Sequence, residues 1–334
     1  MPALAVADAL SAEGAEVTFV GGERAERELI PAAGYELETL QVAPLARRHP
    51  VRAARAVAVD ANAVRRARRL LDRLAPSAVL GAGGYVAGPV GLAAALKRVP
   101  LVLMESDSHL GLTNRLLAPL AHRVCLAFPL DGRAGDRYLV TGRPVPAPAT
   151  DRDGARARFQ IGRDETCVLV FGGSLGARSI NQAAIDAFAG ARFHVLHAAG
   201  DRDLADLSSP GAHYDLRGYI SDFRQALVAS DLVVARSGGS IFEIAAHGRP
   251  MVLVPYPHAT ADHQTANARY MEANGAAVVI SDSELSAARL ASEVGGLLAD
   301  RSRLAAMSRA SARLARPQAA DEIARELLDA AAPR

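Results

Sequence analysis

The chain has 334 residues, 50% of them hydrophobic and 22% charged, with a formal net charge of +2. That length suits two α/β domains better than one, because single cores stop growing near about 250–300 residues. The composition excludes a disordered chain, a collagen-like chain and a disulfide scaffold, and so small a net charge argues against a dedicated nucleic-acid binder.

In chain order, strand and helix alternate, a pattern that builds parallel sheets covered by helices. Pro2–Leu10 (PALAVADAL) reads as a helix with proline in its first turn. Buried strands are predicted at Ala15–Gly21, Ser77–Gly81, Val99–Met104 and Val124–Phe128, with helices near 23–33, 51–74, 88–97 and 112–119. Proline crowds the text at 140–150 (VTGRPVPAPAT), denying both helix and ladder, and marks a linker. A second strand series follows at Cys167–Phe171, Phe193–His197, Leu232–Ala235, Met251–Pro255 and Ala277–Ile280, then an alanine-rich helical stretch over Ser302–Ala332. Two doubly wound domains are expected, 1–145 and 151–315, with 316–334 a C-terminal helix packing back on the first. A doubly wound sheet places its first strand in the middle. No strand precedes Pro2–Leu10, so the first sheet is expected to lack that strand, leaving two neighbours with unpaired apolar edges.

Cys125 and Cys167 lie in apolar runs and read as buried thiols of a reducing compartment. No apolar run reaches the length of a membrane span, and the start lacks the charges of a signal peptide, which points to a soluble, cytosolic chain.

Three glycine-rich turns carry the chemistry. Gly172–Asn181 (GGSLGARSIN) follows a strand and opens a helix, so its backbone N–H groups and Ser174 suit a diphosphate at a helix N-terminus. It is not a Walker loop, since no Gly-Lys-Ser/Thr follows. Gly81–Gly91 (GAGGYVAGPVG) holds five glycines in eleven residues, allowing close backbone approach, with Tyr85 either a wall of that site or packing. Arg236–Glu243 (RSGGSIFE) adds Ser237 for phosphate, and Glu243 either accepts two ribose hydroxyls or complements the helix N-terminus.

Gln264 and Asn267 stand three apart at a helical start and suit the hydroxyls of a sugar. His258 and His263 lack a third ligand, so no metal is expected. Two DxD triplets, Asp151–Asp153 and Asp201–Asp203, read as solvated surface. Pro44–Ala75 carries nine arginines against two aspartates among apolar residues, a basic amphipathic surface suited to anionic lipid headgroups.

This set of segments resembles the MurG family, GT-B-fold transferases that add N-acetylglucosamine to the lipid-linked muramyl-pentapeptide precursor of peptidoglycan. The resemblance rests on PALAVADAL at 2–10, GAGGYVAGP at 81–89, GLTN at 111–114, GGSLGARSIN at 172–181, RSGGSIFEIA at 236–245 and DHQTANA at 262–268. It implies two Rossmann-like domains facing a cleft, and UDP-N-acetylglucosamine bound mainly by the second. Gly173, Ser174 and Gly176 would take the phosphates, with Ser237 and Gly238 beside them. Ile220 in GYISDF would receive the uracil through its backbone. Glu243 would hold the ribose, and Gln264 and Asn267 would orient the sugar.

The undecaprenyl-linked muramyl-pentapeptide would meet Gly83, Gly84 and Tyr85, with Glu105 and Asp107 in a stretch that departs from the family's His-Glu-Gln-Asn. The resemblance further implies an inverting attack by the acceptor 4-hydroxyl, no cofactor and no metal. It also implies a peripheral place on the cytoplasmic face of the cell membrane, with roles in cell-wall building, cell shape and division. The family's GGTGGH loop, with the histidine usually proposed as base, would precede Met1, so the chain reads as truncated and no catalytic residue is assigned. Alternative readings are a UDP-sugar transferase for another lipid acceptor, or a non-catalytic UDP-sugar-binding protein.

Overall fold

The computed structural model describes residues 2–23, 26–42, 50–173, 176–259 and 262–332, with 50–60 described by backbone alone. The chain divides into two compact units, one of Met1–Val145 with Arg316–Arg334 and one of Pro146–Ala315. The proline-rich residues 141–150 carry no helix or strand.

In the first unit the strands are β1 (Thr18–Gly21), β2 (Glu36–Thr39), β3 (Val79–Gly81), β4 (Leu101–Glu105), β5 (Arg123–Leu126) and β6 (Tyr138–Val140). Each pairing is parallel, but they form two sheets, β1-β2 and β3-β4-β5-β6. Among the described residues β1 pairs with β2 alone and β3 with β4 alone. Both strands border a cavity of about 1430 Å³ whose walls include Val6, Val20, Leu80, Val90 and Met104. The arrangement has the two half-paired apolar edges expected from the sequence.

The helix Ala319–Ala331 returns to this unit and buries Ile323, Ala324 and Leu327 against Val6, Val102, Met104 and Cys125. Arg123 Nε donates to Glu326 at 2.6 Å on the same seam. The sequence predicts one helical run over 302–332. The structure breaks it into Arg301–Leu314 and Ala319–Ala331, with Pro317 in the gap, and the two helices belong to different units.

The second unit holds β7 (Cys167–Phe171), β8 (His194–Ala198), β9 (Tyr214–Arg217), β10 (Leu232–Ala235), β11 (Met251–Leu253) and β12 (Ala277–Val279). They form one parallel sheet in the order β12-β11-β10-β7-β8-β9. Strands covered on both faces are apolar throughout, and every residue of β7, β10 and β11 is buried. Because all six run the same way, the turns that leave their C-terminal ends collect along one edge of the sheet, where ligands bind in such folds. Among the described residues no helix is long and apolar enough to cross a membrane.

Candidate functional site

In the second unit, the turn after β7 is set by its glycines. Gly173 and Gly176 have φ of +96° and +72°, a region that side chains rarely adopt. Gly176 N donates to Gly173 O at 3.0 Å, closing the turn ahead of the helix Arg178–Phe188. A Cβ on Gly176 would lie 2.1 Å from Ala199 O, so this turn rests directly on the loop that follows β8. Ser174 lies outside the described residues.

The turn after β10 is joined to the helix His263–Ala273. Ser237 is fully buried, its Oγ donates to Gln264 O at 2.7 Å, and its carbonyl accepts from Asn267 Nδ2 at 3.1 Å. Gln264 Oε1 accepts from Tyr256 N at 3.0 Å, and its Nε2 comes within 3.8 Å of a Cβ built on Gly238. The structure therefore brings Ser237, Gly238, Gln264 and Asn267 together. It places the Asn267 carboxamide inside the protein, where it holds the Ser237 turn. Glu243 is half-buried in the first turn of the helix Ile241–Ala246, and its backbone carbonyl accepts from His247 Nδ1 at 2.8 Å.

Ile220 is buried in the segment after β9. That segment is tied down at Gly218, whose carbonyl accepts from Gly200 N at 2.9 Å, and the Asp201 carboxylate fills the space a Cβ there would need.

Two buried networks support these turns, and sequence reasoning missed both. Arg236 reaches across four strand ends: Nη1 donates to Val254 O, Pro255 O and Asp282 Oδ1 at 3.2, 3.0 and 2.6 Å. Its Nη2 donates to Ser179 Oγ at 2.8 Å, Ser179 in turn donates to Asp282 at 2.8 Å, and the guanidinium lies 5.5 Å from the Tyr256 ring centre. An arginine directly after a buried apolar strand was the available signal, since such a charge needs partners.

The second network lies beneath the β8 loop. His197 is wholly buried between the Tyr214 hydroxyl (2.7 Å) and Asn181 Oδ1 (3.1 Å), and burial pushes its pKa down to about 4. Asn181 Nδ2 donates to Ala199 O at 2.9 Å and to Asp203 Oδ2 at 3.2 Å.

Of the two DxD triplets, Asp151–Asp153 lies at the surface as expected, with Asp151 and Asp153 exposed, whereas Asp201–Asp203 departs from that reading at Asp203. Asp203 is 3% exposed and belongs to that network, because Asn181 and Arg202 both donate to its carboxylate. Asp151 caps the helix Arg152–Arg158 by accepting from Gly154 N at 2.9 Å. Among the described residues no group of three His, Cys, Asp or Glu side chains is placed to hold a metal.

In the first unit, Gly83 and Gly84 have φ of +85° and +82° just ahead of the body of the helix Gly84–Leu96. Among the described residues a Cβ on either would meet no atom within 4 Å, and Tyr85 beside them is 57% exposed. Glu105 is buried and its carboxylate accepts from Asp107 N, Gly111 N and Asn114 Nδ2 at 3.2, 2.8 and 3.0 Å. Those bonds organise the loop 106–111 and leave Asp107 half-buried upon it. Asn114, the buried end of GLTN, also donates to Met104 O at 3.0 Å.

The basic stretch forms the helix Pro50–Leu74. Arg65, Arg66, Arg68, Arg69 and Arg73 are exposed, while Ala63, Ala67 and Leu71 are buried on its other face. Residues 43–49 and the side chains of 50–60 lie outside the described residues. Neighbouring helices Gly84–Leu96 and Leu112–Leu117 turn Leu92, Leu96, Leu112 and Leu116 outward, the last 67% exposed.

The glycosyltransferase family 28 N-terminal domain matches residues 1–126 and the C-terminal domain of that family matches residues 167–323. The chain is 34% identical over 353 aligned residues to a protein of Halothermothrix orenii, covering 99% of this chain and 95% of the relative. It is 40% identical over 354 aligned residues to one of Moorella thermoacetica, covering 98% and 94%. Both relatives are named UDP-N-acetylglucosamine–N-acetylmuramyl-(pentapeptide) pyrophosphoryl-undecaprenol N-acetylglucosamine transferase. The crystal structure of Acinetobacter baumannii MurG superposes with a TM-score of 0.81 at 28% identity, over 98% of this chain and 95% of that one. The chain belongs to glycosyltransferase family 28 and has the two Rossmann-like domains of the GT-B fold.

Proposed function

We propose that this member of glycosyltransferase family 28 moves N-acetylglucosamine from UDP-N-acetylglucosamine to the 4-hydroxyl of the undecaprenyl-linked muramyl-pentapeptide, in peptidoglycan synthesis. The observation that carries this reading is the match, over nearly the whole chain, to transferases named for that reaction. The glycine turns gathered on one edge of the second sheet supply its chemistry.

The donor diphosphate lies at the turn 172–176, against the N-terminus of the helix Arg178–Phe188, where backbone N–H groups and the helix dipole favour negative charge. Ile220 meets the uracil through its backbone, Glu243 holds the ribose hydroxyls, and Gln264 orients the sugar. Asn267 supports the Ser237–Gly238 turn from within. As the acceptor oxygen bonds to the anomeric carbon and gives up its proton to water, the bond to the diphosphate oxygen breaks and UDP leaves with inversion. The turn then stabilises the charge that accumulates on the leaving group, an electrostatic role that asks for no metal. In the first unit, Gly83, Gly84 and Tyr85 meet the acceptor diphosphate, and Glu105 presents Asp107 through the loop it organises.

The chain works as a peripheral protein at the cytoplasmic face of the cell membrane. The outward leucines of helices Gly84–Leu96 and Leu112–Leu117, together with the exposed arginines of Pro50–Leu74, support this reading.

Transfer of labelled N-acetylglucosamine to the muramyl-pentapeptide lipid tests the proposal. Labelled lipid should form, and Glu243→Ala should weaken donor use by about tenfold or more, the usual cost of losing a hydrogen bond to a charged group. UDP-N-acetylglucosamine bound without any transfer to this lipid would overturn the acceptor assignment.

A further inference from the structure

We propose that His197 and Asn181 are positioning residues for the nucleoside diphosphate: together they fix the segment 199–203, which runs into the short helix Asp201–Leu204 and against which both the diphosphate turn and the uracil-facing segment are seated. The inference rests on the reading of the turn 172–176 given above. Neither side chain is in contact with the turn's ligand face. Their effect passes through the backbone of Ala199 and Gly200.

The hydrogen bonds admit one orientation. Asn181 Nδ2 donates to two acceptors, the Ala199 carbonyl and the Asp203 carboxylate. Flipping the amide would set its oxygen against both, so Asp203 fixes which way Asn181 faces. Asn181 Oδ1 then needs a donor, and His197 Nε2 must carry the hydrogen. That leaves Nδ1 as an acceptor for the Tyr214 hydroxyl. Each member determines the next, all within the buried interior between β8, β9 and the helix Arg178–Phe188.

This network holds one short segment with two loads on it. Ala199 O lies under Gly176 so closely that a Cβ would come within 2.1 Å, and Gly200 N donates to Gly218 O at 2.9 Å. Asp201 completes the second seat by packing its carboxylate on Gly218. The diphosphate turn and the segment leading to Ile220 are thus spaced by the same five residues. A ligand that spans both, such as UDP, feels an error in that spacing, whereas uridine engages one seat alone.

The test measures UDP and uridine binding by calorimetry at neutral pH, with thermal melting of each variant, on the wild-type chain, His197→Phe, Asp203→Ala and Asp203→Asn. Phenylalanine keeps the ring volume and removes both nitrogens. His197→Phe and Asp203→Ala should each weaken UDP by about tenfold or more while uridine changes less than about threefold, the scale of a buried polar group left unpaired. Asp203→Asn keeps an acceptor for Asn181 and should restore UDP binding to within about threefold of wild type. Should His197→Phe fail to fold, the two Asp203 variants decide alone. Equal losses for UDP and uridine, or wild-type UDP affinity in Asp203→Ala, would overturn the proposal. A wild-type chain that binds no UDP would instead overturn the reading on which it rests.

Discussion

The two units use the same local device, a glycine turn between a parallel strand and a helix, and build opposite things from it. In the second unit the turn after β7 is pressed on Ala199, and buried Arg236, Asn181 and His197 stand behind the neighbouring loops. In the first unit no atom of the described residues lies within 4 Å of a Cβ placed on Gly83 or Gly84, and the described strands form two sheets that border a cavity. Positive φ alone makes a turn that can approach a ligand, and in the second unit the described ends of that turn are also seated on backbone held by buried polar side chains.

The largest expected difference between the two turns comes from adding one methyl group to each. Gly176→Ala combines a positive φ with a clash on backbone and should cost ~3 kcal/mol or more, abolishing UDP binding. Gly84→Ala meets no atom of the described residues and should cost about 1 kcal/mol, the strain of its φ alone. Urea unfolding of both variants measures the difference, and equal costs would erase the distinction drawn between the two turns.

Acid comes next. His197 has its pKa lowered to about 4 by burial, and burial lowers His194 and His247 as well. Between pH 6.5 and 4 the unfolded chain binds the proton at residue 197 and the folded chain does not, so stability present above pH 6.5 is lost on the way down. The loss from His197 should be about 3 kcal/mol, falling on the second unit. Melting followed from pH 7 to 4 should show it, and His197→Phe should flatten the curve. A pH-independent second unit would remove the buried network from the account.

The smallest effect belongs to the first unit. Leu116→Glu should lower flotation with anionic phospholipid vesicles by about tenfold, the scale of one leucine withdrawn from an apolar phase. It should leave UDP binding unchanged. Loss of UDP binding in that variant would mean that the two functions are not separated between the units.

What was legible in the sequence follows from where polar groups find their partners. The core strands β7, β10 and β11 read directly, since strands buried on both faces are runs of apolar residues. The strands not predicted are β2 (ELET), β6 (YLV) and β9 (YDLR), and all three lie at sheet edges. An edge strand is short and half-solvated, so it carries charge and breaks the pattern. The glycine turns were legible because backbone conformation is a local property. Arg236 with Asp282, 46 residues on, was not, nor was Asn181 with Asp203, 22 residues on. Such pairs come together only through the sheet, and each residue taken alone resembles ordinary surface. Asp203 in its DRD context is the plainest case, an aspartate that composition assigns to solvent and topology buries.

The return of residues 316–331 to the first unit sets an order of events during synthesis. A domain folds as a unit once its sequence has emerged, at about 5–20 residues per second of translation. The second unit is complete at Ala315, but the first waits for Ile323 and Leu327 to cover Val6, Val102 and Met104. The middle of the polypeptide therefore matures before its beginning does. Throughout that interval the nascent chain carries an open apolar seam at its amino-terminal end, so chaperone demand during translation falls on the unit that was made first.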